Sequence, residues 1–220
     1  MNPPHTLYVK QMQLGHMDNF VYLLGDTGGN GAVVVDPAWN VGEILNQLEF
    51  HNAALQAVWL THGHYDHTDG VTELAQAAGV PVYLPRLTPA EWRRDEWRDA
   101  DISLIEFDDG DELSVGALTF RVLATPGHSP DGSCFLHRNH LFTGDTLFID
   151  GCGRCDLPAS DVEAMYHSLH DVIIPLPDNT LIYPGHDYGR LTVDTLGNQK
   201  RTNPFLNAES KKQFVQRRMG

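Results

Sequence analysis

The segment Thr61-His62-Gly63-His64-Tyr65-Asp66-His67 places three imidazoles and a carboxylate within six residues. Imidazole suits zinc, iron and their neighbours, and a carboxylate adds negative charge and can bridge two ions. So short a stretch offers ligands to two adjacent ions better than it wraps around one. Strand-like alternation puts His62, His64 and Asp66 on one side and turns His67 elsewhere. Three further segments repeat one form, an apolar run and then a Gly-containing turn with a single donor: Ala124-Thr125-Pro126-Gly127-His128-Ser129, Phe142-Thr143-Gly144-Asp145-Thr146 and Tyr183-Pro184-Gly185-His186-Asp187. Glycine lets the backbone approach a small ion closely. The candidate metal site is therefore His62, His64, Asp66, His67, His128, Asp145 and His186. The other seven histidines (His5, His16, His51, His137, His140, His167 and His170) lack such a setting and read as ordinary surface or core residues.

The elements that must position these donors alternate between strand and helix. Val21 to Leu24, Ala32 to Val35, Ala57 to Leu60 and Val82 to Leu84 read as short buried strands, the third running directly into the histidine-rich segment. Val41 to Phe50 has helical spacing, with Val41, Ile44, Leu45 and Leu48 on one face. Val71 to Ala78 reads as a helix that stops at Gly79 before Pro81. Trp92 to Arg98, charged and aromatic, reads as a short surface helix. Phe120 to Leu123 belong to a strand ending at Pro126. Cys134 to Leu136 and Leu141 to Phe142 suit a hairpin turning near Arg138 and Asn139. Asp161 reads as the N-cap of a helix through His170, and Leu181 to Tyr183 as a last strand. No repeat, low-complexity tract or long linker interrupts the pattern, so the expected architecture is α/β, one layered domain over residues 1–220.

Composition narrows the function classes. The 220 residues are 41% hydrophobic, enough for one sizeable core. A net charge of −14 disfavours nucleic acid and anionic membrane as partners. Lys200, Arg201, Lys211, Lys212, Arg217 and Arg218 nevertheless gather near the end of the chain. They read as a solvated helix or as a cationic rim for a carboxylate-bearing substrate. No apolar run is long enough to span a bilayer, and Met1 to Lys10 lacks the features of a signal peptide. Three cysteines suit a reducing cytoplasm rather than a disulfide framework. The Cys152/Cys155 pair sits in a Gly-rich loop rather than at the start of a helix, which argues against a redox role.

The series T-H-x-H-x-D-H, P-G-H, G-D and G-H resembles that of the metallo-β-lactamase superfamily, and the likeness extends from Asn19 to about Leu206. The resemblance implies an αβ/βα sandwich with metals along one edge. It assigns His62, His64 and His128 to a first ion and Asp66, His67 and His186 to a second, with Asp145 bridging. It gives Asp36, in Val35-Asp36-Pro37, a supporting role in orienting a ligand or the loop. Within the superfamily, Phe142-Thr143-Gly144-Asp145-Thr146-Leu147-Phe148, Gly151-Cys152-Gly153-Arg154, Pro184-Gly185-His186-Asp187-Tyr188 and Arg201-Thr202-Asn203-Pro204 are most similar to glyoxalase II (hydroxyacylglutathione hydrolase) and persulfide dioxygenase. Two features depart from these patterns. Only 34 residues follow His186, short of the helical C-terminal region of larger glyoxalases II. Arg154-Cys155-Asp156-Leu157 stands where dioxygenases often carry Gly-Arg-Thr-Asp-Phe.

The resemblance implies a metal-dependent thioester hydrolase acting on glutathione conjugates such as S-lactoylglutathione. Its two divalent ions would be zinc in the first place, with iron or manganese admitted. They would activate a water and polarise the carbonyl, and Asp66 would orient the water or accept its proton. Arg154 and Tyr188 are candidate substrate contacts; Arg154 could grip a carboxylate through its planar fork or brace the loop against Asp150 or Asp156. The alternative is a persulfide dioxygenase with one iron on His62, His128 and Asp145. A scaffold protein without catalysis would be expected to have lost some of these donors.

Overall fold

Alternating strands divide their side chains between two cores, and this division sets the layers. The computed structural model describes residues 5–220; the leader reading of Met1 to Lys10 falls partly on residues 1–4, outside the described residues. Six strands form a first sheet in sequence order: β1 (Leu7–Leu14), β2 (Asn19–Asp26), β3 (Gly31–Val35), β4 (Ala54–Trp59), β5 (Val82–Pro85) and β6 (Leu104–Phe107). Strands β1 to β3 pair antiparallel with one another, and β3 to β6 pair parallel. The second half of the chain supplies β7 (Glu112–Val115), β8 (Leu118–Ala124), β9 (Ser133–His137), β10 (His140–Gly144), a small hairpin of β11 (Leu147–Phe148) and β12 (Gly151–Cys152), then β13 (Leu181–Pro184) and β14 (Asp194–Thr195). Its sheet has the order β14-β13-β10-β9-β8-β7. Because β8 to β10 alternate in direction and β13 is parallel to β10, strands β8, β10 and β13 all end at the same edge.

Phe20, Tyr22 and Leu24 of β2 point into the space between the sheets, where they meet Trp59, Phe120, Phe135 and Phe142. Their neighbours Val21 and Leu23 point the other way, against helices α1 (Val41–Phe50) and α3 (Val71–Ala78). On the second sheet Phe142 and Tyr183 face inward, while Leu141 and Ile182 face outward. The outward set packs against α5 (Val162–His167) and α7 (Lys211–Met219), through Met165 and Phe214. Period-two burial on both faces of both sheets thus requires helices outside each, which gives the αβ/βα sandwich.

Several local expectations change. Trp92 to Arg98 is not one surface helix: a 3-10 turn at Ala90–Trp92 is followed by α4 (Asp95–Asp99), whose Trp97 is fully buried in the outer core of the first sheet. The helix capped by Asp161 continues beyond His170, but as a wider π-type coil over Ser168–Ile173. Strands β1, β6 and β7 were not marked by the apolar runs. The segment after β13 carries a helix, α6 (Leu196–Thr202), before α7. Among the described residues no helix is long and apolar enough to cross a membrane.

Candidate metal centre

Four loops leaving β4, β8, β10 and β13 meet at one edge of the sandwich and bring all seven candidate donors together. Backbone bonds hold the loops to one another. Ser133 N–H donates to Thr61 O (3.0 Å), Gly185 N–H to Gly144 O (2.8 Å) and Phe20 N–H to Gly185 O (2.8 Å). A Cβ on Gly185 would fall on Asp145 Oδ1 and on the backbone of Gly144, so only glycine permits this approach. The histidine-rich segment is extended only as far as His64. It then turns into α2 (Tyr65–Thr68), which swings His67 back into the site. The alternation expected for an extended segment therefore fails at this point, and His67 joins its neighbours.

The donors form two groups. In the first, His62 Nε2 lies 3.1 Å from His64 Nδ1, which lies 2.9 Å from His128 Nε2. In the second, His67 Nε2 lies 3.2 Å from His186 Nε2, and Asp66 Oδ2 lies 3.6 and 3.5 Å from those two nitrogens. Asp145 stands between the groups: Oδ2 is 3.4 Å from His128 Nε2 and 3.3 Å from His186 Nε2, and Oδ1 is 3.2 Å from His67 Nε2. Asp36, His62 and His67 also converge, but Asp36 is already engaged from behind.

The outer ring nitrogens decide what the inner ones can do. His67 Nδ1 donates to Asp36 Oδ2 (3.0 Å), His128 Nδ1 to Arg154 O (2.9 Å) and His186 Nδ1 to Met17 O (2.8 Å). Thr61 Oγ1 donates to Asp36 Oδ2 (2.6 Å), so toward His62 Nδ1 (3.0 Å) it acts as acceptor. In their neutral form these four imidazoles therefore carry the proton outward and aim a lone pair inward. Inward lone pairs about 3 Å apart repel unless a cation lies among them. Two nitrogens about 2.0–2.1 Å from one tetrahedral metal are themselves ~3.3 Å apart, close to the spacings here. The donor set fits divalent metals, and Asp145 stands between its two groups.

Burial shapes the charges. His62, His67 and His186 are each at most 2% exposed. Burial lowers the pKa of His62 well below the ordinary histidine value, and lowers that of His64 to about 4. Burial acts in the same sense on His67 and His186, but the adjacent Asp145 carboxylate outweighs it and raises both. For Asp145, burial favours the neutral acid, yet His186 and His67 hold the carboxyl well below its usual range.

The donors open onto a cleft of about 730 Å³, where His64, Asp66, His128, Asp145 and His186 face Trp92, Phe148, Leu157, Tyr188 and Phe205. Arg154 and Tyr188 both line it. Arg154 is bound by two nitrogens to Asp156 (2.7 and 2.8 Å), the loop-bracing pair. Tyr188 stacks on His186 with ring centroids 4.6 Å apart. Lys200 and Arg201 do not reach the cleft: Lys200 pairs with Asp178 (2.6 Å) and Arg201 donates to Asn198 (3.1 Å). The expectation that this part of the tail meets the substrate is corrected, because α6 directs both side chains to its own surroundings. Cys134, Cys152 and Cys155 are free and buried.

Supporting residues that sequence reasoning missed include Asn19, whose Nδ2 donates to Asp66 O and Oδ2 (2.9 and 3.2 Å), and Asp131, whose Oδ2 accepts from Gly63 N–H (2.8 Å). Neither stands in a motif, although each lies close to one in the chain or the fold.

The chain belongs to the metallo-beta-lactamase superfamily, whose profile matches residues 14–186. Its relatives are enzymes of more than one kind. It is 33% identical over 213 residues to the probable polyketide biosynthesis zinc-dependent hydrolase BaeB of Bacillus velezensis, covering 96% of this chain and 92% of that one. It is 38% identical over 192 residues to persulfide dioxygenase ETHE1 of Bos taurus (85% and 71% covered), and 41% identical over 173 residues to hydroxyacylglutathione hydrolase of Tolumonas auensis (78% and 62%). The crystal structure of ETHE1 from Myxococcus xanthus superposes with a TM-score of 0.87 at 32% identity, covering 97% of this chain and 90% of that one.

Proposed function

We propose that the protein is a dinuclear metal-dependent hydrolase of thioesters, with glutathione thioesters such as S-lactoylglutathione as its substrate class. The observation that carries this reading is the pair of inward-facing donor groups with Asp145 between them. His62, His64 and His128 would hold one ion, and Asp66, His67 and His186 the other. Zinc suits five imidazoles and two carboxylates. Divalent ions held there would supply a water acidified toward neutrality and an electrophile for the carbonyl oxygen.

The chain's own residues set the rest. Asp36 and the main-chain oxygens of Met17 and Arg154 fix the imidazoles in the tautomer a metal needs. Asp66, held by Asn19, faces the cleft and can orient a water or take its proton. A thiolate leaves without strong acid assistance, and no proton donor beyond the water is required. Phe148, Leu157 and Phe205 give the acyl group an apolar wall, with Tyr188 and Arg154 as further contacts. Three free cysteines accord with a reducing compartment such as the cytoplasm.

A second reading, a single-iron persulfide dioxygenase on His62, His128 and Asp145, draws on the likeness to the Bos taurus protein. It leaves the inward lone pairs of His67 and His186 without a purpose. Thiol release from S-lactoylglutathione under argon decides between them. The hydrolase cleaves as fast as in air and stops when the metal is stripped. Oxygen uptake with glutathione persulfide, and no thioester cleavage, overturns the proposal.

A further inference from the structure

We propose, building on the thioester-hydrolase reading, that Arg218 receives a carboxylate at the far end of the substrate's thiol-bearing arm. Helix α7 lies outside the segment matched by the superfamily profile and ends at the cleft, carrying Arg218 into its wall. The other basic residues of that region are engaged elsewhere or face solvent. Lys200 pairs with Asp178, Lys211 with Glu163 (2.8 Å), and Arg217 binds Pro204 O and Asn207. Lys212 is exposed.

Arg154 and Arg218 are the two arginines among the cleft residues, and the chain contributes no lysine there. Arg154 is spent on Asp156. Asp156 lies within electrostatic reach of Arg218 as well, but both of its oxygens already accept from Arg154. The three side chains together keep one positive charge. Arg218 Nε donates to Gly153 O (2.9 Å), and the guanidinium lies 5.8 Å over the Phe205 ring. Those contacts, and an interaction with the Cys155 thiol, orient the group; none of them is an ion pair, so the guanidinium keeps its charge and planar fork for a carboxylate. Cys152 and Cys155 beside it are raised by burial, the latter to about 11, so neither thiol neutralises the cation. Arg218 is thus a half-buried cation in the cleft wall that forms no ion pair of its own among the described residues.

Binding can be measured without turnover by using S-hexylglutathione, a thioether the enzyme cannot cleave, and its dimethyl ester. The metal-loaded protein should bind the free acid about tenfold more tightly than the ester by calorimetry, the value for a charge-assisted pair discounted for partial exposure. Arg218→Met should lose that preference and bind the ester within about twofold of wild type. Arg218→Lys should recover part of it, which separates charge from loss of the Gly153 tie. The inference is overturned if wild type shows no preference for the acid, if Arg218→Met keeps the preference, or if both ligands weaken equally and Arg218→Lys restores neither. Failure of S-lactoylglutathione cleavage with the acid preference intact would remove the reaction and leave Arg218 assigned. Cleavage with the preference unchanged in Arg218→Met would do the reverse.

Discussion

Replacing Asp36 by Asn tests whether the metal centre depends on the tautomers fixed behind it. Asp36 Oδ2 accepts from His67 Nδ1 and Thr61 Oγ1, and Oδ1 accepts from Thr61 N–H at 2.8 Å. Through Thr61 it also sets His62, so one residue governs an imidazole in each donor group. Its φ of 51° is left-handed, a region asparagine tolerates, which makes Asn the substitution that leaves the backbone undisturbed. The amide must choose between two faults. With its oxygen toward His67, its NH2 opposes Thr61 N–H and leaves a buried donor unpaired, at about 1–3 kcal/mol. For a chain this size that lowers Tm by about 2–12 °C. With its NH2 toward His67 and Thr61, both His67 and His62 are driven to the tautomer that places a proton inside the metal site. Either way His67 loses a charged acceptor, which costs about 10- to 100-fold in metal affinity, or about 1.4–2.8 kcal/mol. Competition with a chromogenic chelator measures that affinity, and scanning calorimetry measures Tm. If Asp36→Asn holds both ions as tightly as wild type, the tautomer argument is wrong.

Asp145→Ala should release metal from both groups and abolish turnover, whereas Asp66→Ala should weaken mainly the group containing His67 and His186; elemental analysis after dialysis distinguishes them. Acidification should empty the two groups in sequence. The Asp145 carboxylate raises His67 and His186 against the effect of burial, while burial lowers His62, and His64 to about 4, so protons compete for the His67/His186 group at higher pH than for the His62/His64 group. Metal content followed from pH 8 to pH 4 should therefore fall in two steps, and a single step would contradict this order. A Cβ at Gly153 would land on Asp145 O and come within 2.9 Å of His128 Cβ, so Gly153→Ala should destabilise the fold by about 1–3 kcal/mol and loosen the metals, checked by thermal denaturation with and without chelator.

Much of the frame was legible because buried strands and helices carry strong periodicity. Val41 to Phe50 and Val71 to Ala78 form helices over the residues their spacing indicates. The Gly-containing turns after β8, β10 and β13 do converge. Strand β1 was obscure because Lys10, Gln11 and Gln13 interrupt its apolar pattern and it pairs along one side only, at the edge of its sheet. Trp97 was misplaced because its neighbours Glu96 and Arg98 are surface residues, although the ring itself fills the outer core. The groups that orient the imidazoles were hidden for a different reason. Met17 and Arg154 act through main-chain oxygens, which any residue has. The tail was legible as basic, but which cation reaches the cleft depends on the docking of α7 through Phe214, a tertiary fact.

The central claim is that two donor groups sharing Asp145 hold two metal ions. Metal per chain, measured by plasma mass spectrometry on protein purified without chelator and then equilibrated with zinc or manganese, tests it most directly. The structure predicts a value approaching two. A value that remains at one iron per chain, unmoved by added zinc or manganese, would contradict it.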